Sequence, residues 1–203
     1  FRHEVPMLDM RARKNVSRAV DPVARLIARI GVTPTMVTLT GFALSVAGSV
    51  LIGSGHLVVG AAILWFGALF DILDGVLARV TGRETNRGAL LDSFTDRLGE
   101  VAMWTGLAFY LGGRAEAALV TLSIVAVCGS LLIPYVRARA EALGVEGKGG
   151  LMGRAERLLV FGFGVGLEGF GLPTLVGAIW ILAVGAWLTV IQRFVRTWRR
   201  LPA

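Results

Sequence analysis

Six apolar runs, at residues 34–53, 57–79, 89–111, 115–136, 157–171 and 173–195, decide what this chain can become. Most reach the roughly 20 residues that a helix needs to cross a lipid hydrocarbon core; the fifth is shorter and rich in glycine. The 203 residues are 55% hydrophobic and their mean hydropathy is +0.69. That is more apolar surface than a soluble core of this size hides from water. The expected fold class is an all-α integral membrane protein with six transmembrane helices.

The formal charge of +7 would point a soluble chain toward nucleic acid, but the placement of the charges argues otherwise. Seven basic residues precede the first run: Arg2, Arg11, Arg13, Lys14, Arg18, Arg25 and Arg29. Arg79, Arg83, Arg87 and Arg97 flank the second connection, Arg137, Arg139, Lys148, Arg154 and Arg157 the fourth, and Arg193, Arg196, Arg199 and Arg200 lie near the end. The first and fifth connections carry no Lys or Arg and the third only Arg114. Positive charge stays on the cytoplasmic side, so both termini and the second and fourth connections are expected there, in a multi-pass protein of the cell membrane. Nucleic acid is not needed as a partner.

Residues 15–31, "NVSRAVDPVARLIARIG", set Val16, Val20, Val23, Ile27 and Ile30 on one side at helical spacing and Arg18, Arg25 and Arg29 opposite. This predicts an amphipathic helix on the cytoplasmic membrane surface. Asp21 and Pro22 read equally as a kink or as the start of a shorter helix; Thr33 then reads as an N-cap and Pro34 as the first turn of the next helix. The first 31 residues are basic and interrupted, unlike a cleavable signal, and residues 1–6, ahead of Met7, read as a junction outside the functional chain. With no repeat or linker, residues 1–203 read as one domain. Cys128 is the only cysteine, which excludes an internal disulfide, and His3 and His56 are isolated.

Into this apolar chain the segment "DILDGVLARVTGRETNRGALLDSFTD", residues 71–96, puts Asp71, Asp74, Asp92 and Asp96. At about 100° per residue, Asp71 and Asp74 lie about 60° apart on the second helix and Asp92 and Asp96 about 40° apart on the third. The connection is short, so the two helices run antiparallel with both pairs near their cytoplasmic ends. Converging anions in low dielectric need a cation. Oxygen-only donors favour Mg²⁺, Mn²⁺ or Ca²⁺ over zinc, two ions are feasible, and phosphate oxygens of a substrate complete such a site. Gly75 permits close approach to the helix, Ala78 keeps the face shallow, Arg79 offers a phosphate fork, and Gly88 does for Asp92 what Gly75 does for Asp74.

The segment resembles the signature of the CDP-alcohol phosphotransferase family, D-x2-D-G-x2-A-R-x8-G-x3-D-x3-D, at every fixed position: Asp71, Asp74, Gly75, Ala78, Arg79, Gly88, Asp92 and Asp96. The resemblance implies a six-helix membrane enzyme, usually a homodimer, that transfers the phosphoryl-linked alcohol of a CDP-alcohol to an acceptor hydroxyl and releases CMP. It implies Asp71, Asp74 and Asp92 as metal ligands, with Asp96 as general base and further ligand, on two divalent ions, Mg²⁺ or Mn²⁺. It also implies a CDP site that includes Gly75, Ala78 and Arg79, and "TPTMVT" resembles a family motif that turns Thr38 to the nucleotide.

Arg137, Arg154 and Arg193 stand near cytoplasmic helix ends, where guanidinium groups can clamp a second phosphate or simply serve as positive-inside anchors. Ala138 to Glu141, Gly149 to Gly150 and Arg154 to Arg157 resemble the bacterial branch of the family that takes inositol 1-phosphate, which implies these three arginines as ligands of the acceptor's phosphate. The expected reaction joins a CDP-diacylglycerol donor to this phosphorylated polyol. Glycerol 3-phosphate as acceptor, an archaeal-type lipid donor or CDP-inositol are alternatives, and a divalent-cation transporter is the alternative of another class. Glu100 reads either as an extension of the polar site or as half of a pair with a neighbouring helix. Gly162 and Gly166 read as a close-packing or dimerisation face, or as the lining of a lipid groove.

Overall fold

The computed structural model describes residues 21–202, and among them the chain forms seven helices and no strand. Helix α1 covers 21–29 of the described residues. It is followed by α2 (Pro34–Gly53), α3 (Leu57–Val80), α4 (Asn86–Gly113), α5 (Ala117–Ala142), α6 (Arg154–Gly169) and α7 (Leu175–Arg200). Each expected apolar run has its helix. Residues 15–20 of the expected surface helix lie outside the described residues.

Helix starts follow side-chain chemistry. Thr33 caps α2, its Oγ1 accepting the Met36 N–H at 3.3 Å, and Pro34 occupies the first turn, where its missing donor costs nothing. Thr85 does the same for α4, with its Oγ1 accepting the Gly88 N–H at 3.0 Å. At α7 the cap comes from a distance: Glu168 Oε2 accepts the Thr174 and Leu175 N–H groups, each at 3.0 Å.

Four helices, α2, α3, α5 and α7, are long and apolar enough to cross a membrane, which makes this a multi-pass membrane architecture. α4 has the length, at 28 residues, but Asp92, Asp96, Arg97 and Glu100 dilute its apolar face. α6 has only 16 residues and opens on Arg154, Glu156 and Arg157.

The described chain divides into two compact units. One holds the residues up to Ala43 with Phe66–Asp96. Its small core joins Ala24 of α1, Val37 of α2 and Val76 and Leu77 of α3. α1 turns Ala24 inward and packs Ile27, expected on the outer face, against this core, so that Val23, Leu26 and, in the turn that follows, Ile30 form the exposed apolar stripe, with Arg25 and Arg29 also exposed.

The other unit, Leu44–Trp65 with everything from Arg97 onward, carries the main core, centred on Ile52, Leu64, Leu107, Phe161, Ile179 and Leu182. Here α7 packs against both α5 and α6. Glycines set the close approaches: a Cβ at Gly106 would strike the Ser49 carbonyl, and one at Gly162 the Trp65 indole. Gly166 adjoins Ala61. The Gly162/Gly166 face therefore packs inside the chain, against α3.

Candidate active site

In the first unit the start of α2, the end of α3 and the start of α4 enclose a cavity of about 670 Å³. Its wall includes Thr38, Asp74, Gly75, Ala78, Gly88 and Asp92, six of the residues singled out by sequence. A Cβ at Gly75 would meet nothing within 4 Å, and one at Gly88 only Thr85 Oγ1 at 3.2 Å. The absent side chains leave open space for a ligand.

Asp74 is the buried acid, 5% exposed. Thr38 Oγ1 donates to its Oδ2 at 2.5 Å and lies 3.1 Å from the Pro34 carbonyl. A hydroxyl has one proton, so the shorter contact to the charged oxygen is the favoured donation. The apolar neighbours Val37, Val76 and Leu77 hold both helices in place around this bond.

Asp71 and Asp92 act on Asp74 as neighbouring negative charges. Asp71 Oδ1 stands 3.3 Å from where a Cβ of Gly41 would lie, so that glycine admits the acid beside α2. Asp71 and Asp96 are half-buried and do not line the cavity; like Asp92, neither is without a partner. Arg79 is exposed in the last turn of α3 and does not line it either. Among the described residues no three His, Cys, Asp or Glu side chains are gathered closely enough to hold an ion. In kind the donors suit a hard divalent cation: oxygen only, mutually repelling, with two of the acids on one cavity wall.

Thr33, Thr35, Arg83, Glu84 and Thr85 also line the cavity, and sequence reasoning had assigned none of them to the nucleotide site. The signal lay in the length of the α3–α4 connection. Gly82, at φ +63°, reverses the chain within a few residues and brings Arg83 to Thr85 back over the α3 end.

The second unit holds the arginines. Arg193 of α7 donates from Nε to the Gly149 carbonyl at 2.7 Å and from Nη1 to the Ile133 carbonyl at 3.0 Å. Arg137, Arg157 and Arg196 act on it as neighbouring positive charges. Arg137 is exposed on α5 and pairs with Glu141, Nε to Oε1 at 2.8 Å. Arg154 is the first residue of α6, half-buried. Arg193, Arg137 and Arg157 are thus electrostatic neighbours.

Arg157 also answers the question left by Glu100. Its Nε donates to Glu100 Oε1 at 2.9 Å and its Nη2 to Oε2 at 3.2 Å, with the side chains 4% and 5% exposed. This is a forked, buried pair between α4 and α6. Arg97 Nε lies 4.0 Å from the same carboxylate.

Residues 31–198 match the CDP-alcohol phosphatidyltransferase family. The chain is 40% identical over 193 residues to the phosphatidylinositol phosphate synthase of Mycobacterium marinum, covering 92% of this chain and 82% of the relative. It is likewise 40% identical over 193 residues to that of Corynebacterium glutamicum, covering 93% and 88%. The crystal structure of Mycobacterium tuberculosis phosphatidylinositol phosphate synthase with CDP-DAG bound superposes with a TM-score of 0.83 at 38% identity, over 89% of this chain and 94% of that one. The same enzyme in complex with manganese and citrate gives 0.83 over 88% of each chain.

Proposed function

Because the chain belongs to the CDP-alcohol phosphatidyltransferase family, we propose that it moves the phosphatidyl group of CDP-diacylglycerol onto a hydroxyl of inositol 1-phosphate, giving phosphatidylinositol phosphate and CMP. It is a phosphatidyltransferase, and its relatives over nearly the whole length are phosphatidylinositol phosphate synthases. The observation that carries the reading is the cavity with Asp74 and Asp92 on its wall, inside the matched segment and large enough for a nucleotide diphosphate head.

In this reading the cytidine diphosphate enters beside Thr38, Gly75, Ala78 and Gly88, with Arg79 at the water boundary. Asp71, Asp74, Asp92 and Asp96 would hold two divalent ions, Mg²⁺ or Mn²⁺, which would supply positive charge to the pyrophosphate and to the departing CMP. Thr38 keeps the Asp74 carboxylate in one orientation. Asp96 takes the proton of the attacking inositol hydroxyl as its oxygen displaces CMP in line at the phosphorus bearing the diacylglycerol. Arg137, Arg154 and Arg193 bind the phosphate of the acceptor.

The membrane arrangement belongs to the same proposal. α2 to α7 are the six transmembrane helices, with both termini and the site on the cytoplasmic side. α1 rests on that surface with Val23, Leu26 and Ile30 in lipid and Arg25 and Arg29 toward the headgroups, as its exposed stripe supports. The functional unit is a homodimer.

The test is CMP release from CDP-diacylglycerol with Mg²⁺ or Mn²⁺, with inositol 1-phosphate, free inositol and glycerol 3-phosphate in parallel. Release stimulated by inositol 1-phosphate alone, lost on chelation and lost in Asp96→Asn while CDP-diacylglycerol still binds, is the expected result. Release with glycerol 3-phosphate instead would replace the acceptor.

A further inference from the structure

The segment between α5 and α6 runs along one face of α7, and its attachments follow the helix turn by turn. The Met152 N–H donates to Thr189 Oγ1 at 2.9 Å and the Leu151 N–H to Gln192 Oε1 at 3.0 Å. The Gly149 carbonyl accepts from Arg193 Nε at 2.7 Å, and the Glu146 carbonyl from Arg200 Nη1 at 3.0 Å. Positions 189, 192, 193 and 200 share one helical face, so the segment descends α7 in antiparallel register.

Two glycines make the approach feasible. Gly149 and Gly150 have φ of +104° and +114°. A Cβ at Gly149 would collide with the Arg196 guanidinium, and one at Gly150 would stand 2.5 Å from Thr189 Cγ2. Both positions require glycine by conformation as well as by space.

The consequence falls on Arg193. A guanidinium has five N–H donors in a fixed plane; the carbonyls of Gly149 and Ile133 take two, fixing that plane and leaving the others for an anion. We infer that Thr189 and Gln192 are positioning residues for the acceptor's phosphate: by holding the amides of Met152 and Leu151 they set the Gly149 carbonyl that aims Arg193. Thr189 is fully buried and uses both capacities of its hydroxyl, accepting from Met152 and donating to the Gly185 carbonyl at 2.7 Å. The charges of Arg137, Arg157 and Arg196 beside Arg193 make the place attractive to a phosphate. This inference rests on the proposed role of Arg193 in acceptor binding.

The test compares the full-length wild type with Thr189→Val, Thr189→Ser and Gln192→Leu in lipid vesicles, measuring CMP release against inositol 1-phosphate and separately against CDP-diacylglycerol. Thr189→Val, which keeps the shape and loses the hydroxyl, is expected to raise the KM for inositol 1-phosphate about five- to tenfold, the size of one lost hydrogen bond. The KM for CDP-diacylglycerol stays within about twofold, and Thr189→Ser restores the acceptor KM. Gln192 is exposed, so Gln192→Leu folds whatever Thr189→Val does, and it shifts the same KM in the same direction. An unchanged acceptor KM in both Thr189→Val and Gln192→Leu, or equal rises in both KM values that Thr189→Ser does not repair, overturns the inference while wild-type turnover of inositol 1-phosphate leaves the proposed function standing. Wild-type turnover with glycerol 3-phosphate in place of inositol 1-phosphate changes the acceptor, and the same split is then read on its KM. Wild-type turnover only with an unphosphorylated acceptor overturns both.

Discussion

Thr38 and Asp74 are joined by a bond between two side chains that are almost closed to solvent, 6% and 5% exposed. Replacing Thr38 with Val keeps the volume and removes the donor, leaving a buried carboxylate oxygen without its partner at a cost of about 1–3 kcal/mol. If the nucleotide diphosphate uses this site, kcat/KM for CDP-diacylglycerol falls roughly 5- to 100-fold and Thr38→Ser recovers most of it; initial rates of CMP release measure both. The acids themselves were legible in the sequence, because four aspartates at matched helical phase stand out against an apolar background. Thr38 needed a resemblance to be noticed, since a threonine near a helix start is ordinarily a backbone-bonding residue, and here it also lies near the Pro34 carbonyl. Arg79 shows the opposite balance: its place in the motif suggested the site, and its side chain is exposed and off the cavity wall.

Between elements, Glu100 of α4 and Arg157 of α6 form a buried two-bond tie. Breaking it from one side, as in Glu100→Gln or Arg157→Met, leaves an uncompensated buried charge or an orphaned fork and should cost about 3–5 kcal/mol. Replacing both with apolar residues of similar volume should cost less than either single change, which thermal denaturation in one detergent would show. The pair was half visible: Glu100 in an apolar run read either as an extension of the polar site or as half of a pair, its partner is 57 residues away, and several arginines near helix ends were equally eligible. Each apolar run has its helix, and the first two runs, 34–53 and 57–79, match Pro34–Gly53 and Leu57–Val80 to within a residue, but the ends of later helices differ. The run expected at 173–195 is Leu175–Arg200, and that at 115–136 is Ala117–Ala142. Hydropathy marks where a chain ceases to be apolar, whereas backbone hydrogen bonding continues through the Arg-rich turns and past Pro134. α6 errs the other way, starting at Arg154 because Gly153 takes an extended conformation just before it.

For the molecule as a whole, two chemistries fall in different units: the four aspartates and the cavity in one, Arg137, Arg154 and Arg193 in the other. Nothing in hydropathy announces such a division, because the same apolar runs feed both cores. The brevity of α6 carries a further consequence. Its 16 residues amount to ~24 Å at 1.5 Å per residue, against a hydrocarbon layer of ~30 Å. A helix too short for its surroundings cannot recover the difference by leaning; the lipid has to come to it, at a fraction of a kcal/mol for each ångström. If α6 is one of the six proposed spans, the enzyme becomes a gauge of bilayer thickness, working faster in vesicles of short-chain lipids than in those of long-chain ones at equal CDP-diacylglycerol content. Rates that ignore acyl-chain length would mean that α6 does not bear on lipid at all.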